Sequence, residues 1–177
     1  REKLKDQCGV DWTFFDQTAL RLTEFGNHGK LMLPYFVPES TPLVLKPRVR
    51  CNFTEATIAE KIRALLESQA LSMRLHSAWQ GQTFNRIRIT GGASQSEGMR
   101  RILADVFQAR IETISVTNSA GLGAALRAAH AVGGIPYAQL SERFCRVSEV
   151  TEPDLTKRNM AEAMLKSFTN FEIASRE

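Results

Sequence analysis

The sequence lacks the features that mark membrane and secreted proteins. No run of about 18 consecutive apolar residues occurs, so we expect no transmembrane helix. The opening stretch, REKLKDQCGV, contains no apolar segment of signal-peptide length. The three cysteines, Cys8, Cys51 and Cys145, are odd in number, widely spaced and match no metal motif. These absences favour a cytoplasmic protein with reduced thiols and no metal site of its own.

The chain also has no concentrated patch of one charge. It carries 23 basic and 19 acidic residues, a formal net charge of +4, and the basic residues occur in small groups. A nucleic-acid surface needs a denser basic stripe interleaved with aromatic residues, so we expect solvated surface charge and no nucleic-acid partner. The basic groups are Lys46 with Arg48 and Arg50, Arg86 with Arg88, and Arg100 with Arg101.

Patterns of known catalytic machinery are missing as well. No GxxxxGK[ST] phosphate loop and no GxGxxG dinucleotide motif occurs. The histidines His28, His76 and His130 are isolated, and no Ser-His-Asp order or reactive-cysteine context accompanies them. We therefore expect the chain to bind a ligand rather than to catalyse a reaction, and we assign no catalytic residue.

The most informative segment that is present is RIRITGGASQSEGMRRILADVF, at residues 86–107. Ile87 and Ile89 alternate with polar neighbours, which predicts a short strand that faces a core. Gly91 and Gly92 then remove two side chains where the strand ends. A glycine turn that feeds a helix exposes main-chain N–H groups beside the positive end of the helix dipole. A nucleotide can lie against such a turn, although a tight turn without a ligand explains the pattern equally well.

The second half of this segment predicts an amphipathic helix. Ser94 and Glu97 have the spacing of a capping box, which predicts that the helix begins at Gln95. The apolar stripe of this helix consists of Met99, Ile102, Leu103, Val106 and Phe107.

The rest of the sequence predicts an α/β fold in one domain, for which 43% hydrophobic residues in a chain of 177 are sufficient. A capping box at Thr57-Ile-Ala-Glu60 begins a long helix. Only two strands are convincing, so partner strands either lie upstream of Arg1 or come from residues 31–37 and 43–50. The predicted helices cover 11–25, 58–76, 119–131, 137–144 and 154–173, and the second strand covers 111–116.

Two further features could serve a ligand. Asn118 or Ser119 can cap a predicted helix, and Gly121 and Gly123 lie in its first turns. Each glycine there lowers helix stability by about 1 kcal/mol relative to alanine. Close approach of a flat ligand, or tight helix packing, would compensate that cost. Trp12, at the start of the first predicted helix, could stack on a purine or anchor its helix to the core.

These segments together resemble one family. The run TGGASQSEGMRRILADVF, followed by NSAGLGAALRAAH at residues 118–130, is similar to the C-terminal half of the FGGY carbohydrate kinases. The resemblance extends in order from Arg1 to about Gly134 and includes REK at residues 1–3, Trp12, EFGN at 24–27 and RALLESQALSMRLH at 63–76.

The resemblance implies an actin-like (ribonuclease H-like) α/β fold, with residues 1–150 as the nucleotide-binding C-terminal domain and 151–177 as a helical tail packed on it. In such kinases two domains surround a cleft, and the sugar site and catalytic aspartate belong to the N-terminal domain. The implied partners are that N-terminal sugar-binding domain and an adenine nucleotide, ATP or ADP, with Mg²⁺ carried by the nucleotide. A homodimer is compatible with the resemblance.

The resemblance also implies which residues meet the nucleotide. Gly91, Gly92 and Ala93 match the adenosine motif, and Trp12 matches an aromatic residue beside adenine. Ser96 stands where relatives often carry asparagine. The implied nucleotide-binding residues are Gly91, Gly92, Ala93, Ser94, Ser96, Trp12 and Asn118.

One motif departs from the family pattern. The usual GER-TP loop reads Pro38-Glu39-Ser40-Thr41-Pro42 here, so serine replaces its arginine and we transfer no role to it. The departures at Ser40 and Ser96 favour one alternative, a non-catalytic interaction or regulatory module of the same fold. Another ATPase of that fold, with no link to sugars, is a separate alternative.

Overall fold

The computed structural model describes residues 1–116 and 118–175 and has an α/β architecture. The helices are α1 (Glu2–Cys8), α2 (Ala19–Arg21), α3 (Ile58–Ser77), α4 (Glu97–Phe107), α5 (Ser119–Gly133), α6 (Tyr137–Phe144) and α7 (Arg158–Ala174). The strands are β1 (Met32–Pro34), β2 (Glu39–Ser40), β3 (Leu43–Val44), β4 (Val49–Cys51), β5 (Arg86–Ile89), β6 (Arg110–Ile114) and β7 (Val147–Thr151). Short helical turns cover Phe14–Thr18, Asn27–Gly29, Ala78–Gln80, Gly92–Gln95 and Leu155–Lys157.

The main sheet has the strand order β5-β6-β7. β5 runs parallel to β6, with Ile89 opposite Thr113, and β7 is antiparallel to β6. The strand β7 is missing from the sequence-based prediction because its side chains are mostly exposed and give a weak alternating signal. Among the described residues, no strand pairs with the outer side of β5.

The segments 31–37 and 43–50 do not complete this sheet, and that sequence-based alternative is wrong. β1 pairs with β4 in a separate antiparallel ladder, in which Met32 lies opposite Cys51. β2 and β3 form a second two-stranded ladder. In the described part of the chain neither ladder pairs with a strand of the β5-β6-β7 sheet, and β1 packs on α3.

The long helix α3 lies at the centre of the core and packs against β1, α4 and α7. Its predicted capping box is confirmed: the Glu60 N–H donates to Thr57 Oγ1 at 3.2 Å, and the Thr57 N–H donates to Glu60 Oε2 at 2.8 Å. The largest fully buried apolar side chains around it are Phe15, Leu33, Ile62, Leu65, Leu66, Leu71, Val106, Ile111 and Phe168.

The C-terminal helix α7 buries Ala161, Met164 and Phe168 against α3 and α4. The tail is therefore part of the same core as the central helices. A domain division at residue 150 stays a prediction.

The predicted helix over residues 11–25 is shorter and less regular than its periodicity indicated. Phe14–Thr18 forms a π-helical turn that continues into α2 and ends at Arg21. Phe15 is fully buried, whereas Leu22, seven residues later and on the same face of a regular α-helix, is 66% exposed. The five-residue π turn rotates the helix relative to a regular α-helical stripe, so the predicted face does not continue.

A buried network of hydrogen bonds around Arg63 and Glu67 joins α3 to the end of α2 and the residues after it. Arg63 Nη1 donates to Glu67 Oε1 at 3.0 Å, and Nη2 donates to the carbonyl oxygens of Leu20 and Thr23 at 2.8 and 3.0 Å. The Gly26 N–H donates to Glu67 Oε1 at 3.1 Å. The guanidinium thus satisfies carbonyl groups at the helix end. Burial raises the pKa of Glu67 to about 7, against the lowering effect of Arg63.

This raised pKa predicts a pH-dependent stability. The folded protein retains the Glu67 proton up to about pH 7, whereas the usual pKa is 4.5. The stability from this group is therefore complete below pH 4.5 and is lost as the pH rises through 7. Relative to a Glu67→Gln variant, the free energy of unfolding of the wild type should fall by about 3 kcal/mol across that range.

Urea unfolding at several pH values measures this difference. The control is Glu162→Gln, because Glu162 is a largely exposed partner of Arg74. A wild-type-minus-Glu67→Gln difference that stays constant from pH 4 to pH 8 would contradict the buried titration.

Candidate functional site

The carboxyl ends of β5 and β6 form one edge of the sheet. Because the strands are parallel and Ile89 lies opposite Thr113, both strands end at the same edge of the sheet. The Gly91–Ser96 segment follows β5 and leads into α4, and Asn118 precedes α5 after β6. In open α/β sheets, ligands bind at such carboxyl ends. Two helix N-termini, each with unpaired N–H groups, begin at this edge.

The glycine turn needs a glycine at its first position. Gly91 has φ 88° and ψ −178°, a conformation that is essentially restricted to glycine. Gly92–Gln95 then forms a short 3₁₀ turn, in which the Ser94 N–H donates to the Gly91 carbonyl at 3.1 Å. A Cβ at Gly92 would meet no atom within 4 Å. The outer face of the turn is therefore open to a ligand.

The two serines of the turn have internal hydrogen bonds. Ser94 Oγ donates to the Gly91 carbonyl at 2.7 Å, and Ser96 Oγ accepts from the Met99 N–H at 3.1 Å. The predicted Ser94/Glu97 capping box is wrong: Ser96 is the cap, and α4 begins at Glu97. The 3₁₀ turn uses residues 92–95, so the helix starts two residues later. Both hydroxyls are buried, and a nucleotide contact by either stays a prediction.

At the neighbouring loop, Asn118 caps α5, with its Oδ1 accepting from the Gly121 N–H at 2.9 Å. A Cβ at Gly121 would lie 3.1 Å from the Asn118 side chain, so the missing side chain makes room for the cap. A Cβ at Gly123 would meet nothing within 4 Å. The tight packing that the sequence left open as an explanation is not observed here, since none of the 15 residues of α5 is buried.

Trp12 is half-exposed at 42% and lies beside cationic side chains. Arg1 and Lys5 each lie 5.5 Å from its ring centroid, and Phe15 contacts the ring edge-on at 5.5 Å between centroids. These contacts belong to the N-terminal helical region. A role beside adenine therefore stays a prediction.

Gly98 joins that helical region to the site, and the sequence analysis missed it. A Cβ at Gly98 would lie 2.5 Å from the Asp16 carbonyl oxygen and closer still to Leu20 Cδ1. The first turn of α4 therefore touches the backbone of the Phe14–Thr18 turn directly. A glycine in the first turn of a predicted helix was the available signal, since it costs helix stability without a local reason.

Two cavities formed by the described residues are close to α4 and α7, and neither includes the glycine turn itself. One of about 350 Å³ lies between the Phe14–Arg21 region and α4, with Asp16, Arg63 and Lys157 in its wall. Another of about 610 Å³ lies near Tyr35 and Glu172. Neither is lined by residues 91–96. The described part of the chain would therefore cover only one side of a nucleotide bound at the turn.

The described residues form neither a metal-binding cluster nor a membrane-spanning helix. Within residues 1–116 and 118–175, no three His, Cys, Asp or Glu side chains gather closely enough to hold a metal ion. None of the helices in that part of the chain combines the length and apolar character that crossing a membrane requires.

Comparison with known proteins agrees with this arrangement. Residues 1–132 match the family model described as FGGY family of carbohydrate kinases, C-terminal domain. The xylulose kinase of Rattus norvegicus is 30% identical over 184 residues, covering 97% of this chain and 34% of the rat protein. The chain thus spans about a third of the length of this curated relative.

Solved structures show the same fold. A ligand-bound xylulose kinase from Lactobacillus acidophilus superposes with a TM-score of 0.87 at 18% identity, covering 98% of this chain and 37% of that protein. A Plasmodium falciparum glycerol kinase with ADP gives a TM-score of 0.74 at 17% identity, covering 94% and 35%. The predicted actin-like α/β fold is confirmed. This chain belongs to the FGGY family of carbohydrate kinases, in which it corresponds to the C-terminal domain.

Proposed function

We propose that this chain is the ATP-binding domain of a cytoplasmic kinase that phosphorylates D-xylulose, or a related ketose or polyol, with MgATP. The observation that carries the proposal is the shared carboxyl edge of β5 and β6, where an open glycine turn leads from β5 into α4. The similarity to the rat xylulose kinase supports D-xylulose as the sugar.

In this proposal the main chain at Gly91, Gly92 and Ala93 carries the contact with the nucleotide. The absence of a side chain at Gly92 leaves open space beside the main chain of the turn, so a nucleotide could approach it closely. Ser94, Ser96 and Asn118 shape the two loops through their internal hydrogen bonds. Trp12 would cover the base. Mg²⁺ would arrive with the nucleotide and neutralise its phosphates.

The phosphoryl transfer itself belongs to the rest of the kinase. A carboxylate of the N-terminal domain would take the proton from the sugar hydroxyl as that hydroxyl attacks the γ-phosphate. This chain would bind and orient the nucleotide, and closure of the two domains would exclude water.

The surface of α5 supports a partner on this side of the domain. The helix consists mainly of alanine, glycine and leucine, yet Val132 is 92% exposed and no residue of the helix is buried. In the described part of the chain, the outer side of β5 in the main sheet also has no partner strand. Exposed apolar surface of this kind marks an interaction site. We propose that the remaining part of the same kinase covers it.

An activity assay tests where catalysis lies. The purified chain, given MgATP and D-xylulose, should form no xylulose phosphate above background in a coupled ADP-release assay, because it contributes no general base. A full-length kinase that contains this chain should form it. Sugar-dependent turnover by the chain alone would contradict the proposed division of roles.

A second candidate is a regulatory or interaction module that keeps the fold without the nucleotide. The observation in its favour is Ser96, whose hydroxyl is buried and caps α4 instead of facing a ligand. Binding of ADP by the folded chain separates the two candidates, since the module would show none.

A further inference from the structure

Arg100 connects the glycine turn to two other elements. Its Nη1 donates to the Ser94 carbonyl oxygen at 2.7 Å, and its Nη2 pairs with Glu149 Oε2 on β7 at 2.5 Å. The side chain is only 11% exposed. The expectation that Arg100 contributes solvated surface charge is therefore wrong. This arginine starts on α4, reaches back six residues and is held in place from the sheet.

This contact fixes the shape of the turn. In a trans peptide the C=O and N–H groups point in opposite directions, so holding the Ser94 carbonyl fixes the orientation of the Ser94–Gln95 peptide. The turn needs such a restraint, because Gly91 and Gly92 lose more conformational freedom on ordering than any other residue type. A planar guanidinium can bind the carbonyl and Glu149 at once, which an ammonium group cannot do in the same geometry.

We propose that Arg100 is a positioning residue for nucleotide binding, which holds the Gly91–Gln95 turn in its binding conformation before the nucleotide arrives. This inference rests on the proposed function of that turn. A turn that is already ordered loses less conformational entropy when a ligand binds, so the ligand binds more tightly. In this proposal Arg100 does not touch the nucleotide and acts through the Ser94 carbonyl.

The adjacent Arg101 provides a matched control on the same helix. Its Nη1 donates to the Glu152 carbonyl oxygen at 2.7 Å, at the end of the β7 region and away from the turn. Arg100→Met and Arg101→Met each remove one guanidinium and retain a long apolar stem. A difference between the two variants therefore reports the contact with the turn rather than the loss of a basic residue.

Hydrogen exchange of the purified chain without nucleotide provides the first readout. Arg100→Met should speed exchange of the amides at residues 92–96 by about tenfold, as expected for the loss of a charge-assisted hydrogen bond. Amides at 102–107 should keep their rates, and Arg101→Met should leave 92–96 unchanged. If Arg100→Met fails to fold, Glu149→Gln loosens the same guanidinium from an exposed position and should give a smaller increase.

Titration with Mg-ADP provides the second readout. Arg100→Met should weaken binding by about tenfold, and Arg101→Met should bind like the wild type. Unchanged exchange at 92–96, or equal ADP affinities of the wild type and Arg100→Met, would overturn the proposal. A folded wild-type chain that binds no Mg-ADP would contradict the proposed function and the nucleotide part of this inference, while the exchange difference would still decide whether Arg100 holds the turn.

Discussion

Replacing Gly92 with valine should abolish most nucleotide binding and leave the fold intact. No atom of the protein lies within 4 Å of a Cβ at this position, and Gly92 does not have the positive φ that makes Gly91 irreplaceable. The new side chain therefore meets only what binds on the outer face of the turn. We expect the Kd for Mg-ADP to rise by at least about tenfold, with a change in unfolding free energy within about 0.5 kcal/mol.

Calorimetric titration and thermal unfolding of the same preparation check both parts of this result. The matched control is Gly133→Val, at the opposite end of α5, where a Cβ would make ordinary contacts of 3.4 Å with Ile135. If Gly92→Val binds ADP as tightly as Gly133→Val, the nucleotide does not lie against this turn.

Replacing Gly98 with alanine should destabilise the protein, although helix propensity alone predicts the opposite. Alanine in place of a glycine within a helix normally adds about 1 kcal/mol of stability. Here the new Cβ would lie 2.5 Å from the Asp16 carbonyl oxygen, which is backbone and cannot move aside cheaply. Overpacking of this kind costs about 1–3 kcal/mol or more, so we expect a net loss of about 2 kcal/mol.

Gly123→Ala in α5 provides the comparison for this change. Its Cβ would meet nothing within 4 Å, so only the helix propensity acts and stability should rise slightly. Urea unfolding of the two variants and the wild type gives both signs in one experiment. A Gly98→Ala protein at least as stable as the wild type would show that α4 and the Phe14–Thr18 turn are not in direct backbone contact.

The sequence predicted α3 well because its information is local. Thr57 and Glu60 specify the N-terminus through their own hydrogen bonds, and an uninterrupted apolar stripe specifies the length. The strand-turn-helix around Gly91 was predicted for the same reason. The start of α4 was predicted incorrectly, because Ser94 and Ser96 can both cap a helix. Which serine is the cap depends on the 3₁₀ turn, in which Arg100 binds the Ser94 carbonyl.

Features that depend on distant partners were beyond the sequence. The pairing of β1 with β4 joins residues 15 to 19 positions apart and leaves no local signal. That β5 and β6 end at the same edge of the sheet follows only from their parallel register, which the sequence does not display. Gly98 and Arg100 were missed because a close contact and a buried guanidinium each require knowledge of the element on the other side.

The amide chemical shifts of the ¹⁵N-labelled chain, measured during titration with Mg-ADP, test most directly whether the nucleotide binds at the glycine turn. At 19.8 kDa the protein is suited to this measurement. We expect saturable shifts centred on the amides of Gly91–Ser96, together with Asn118 and the first turn of α5. Shifts centred instead on the cavity beside Arg63 and Lys157, or no shifts at millimolar ADP in a folded sample, would contradict this expectation.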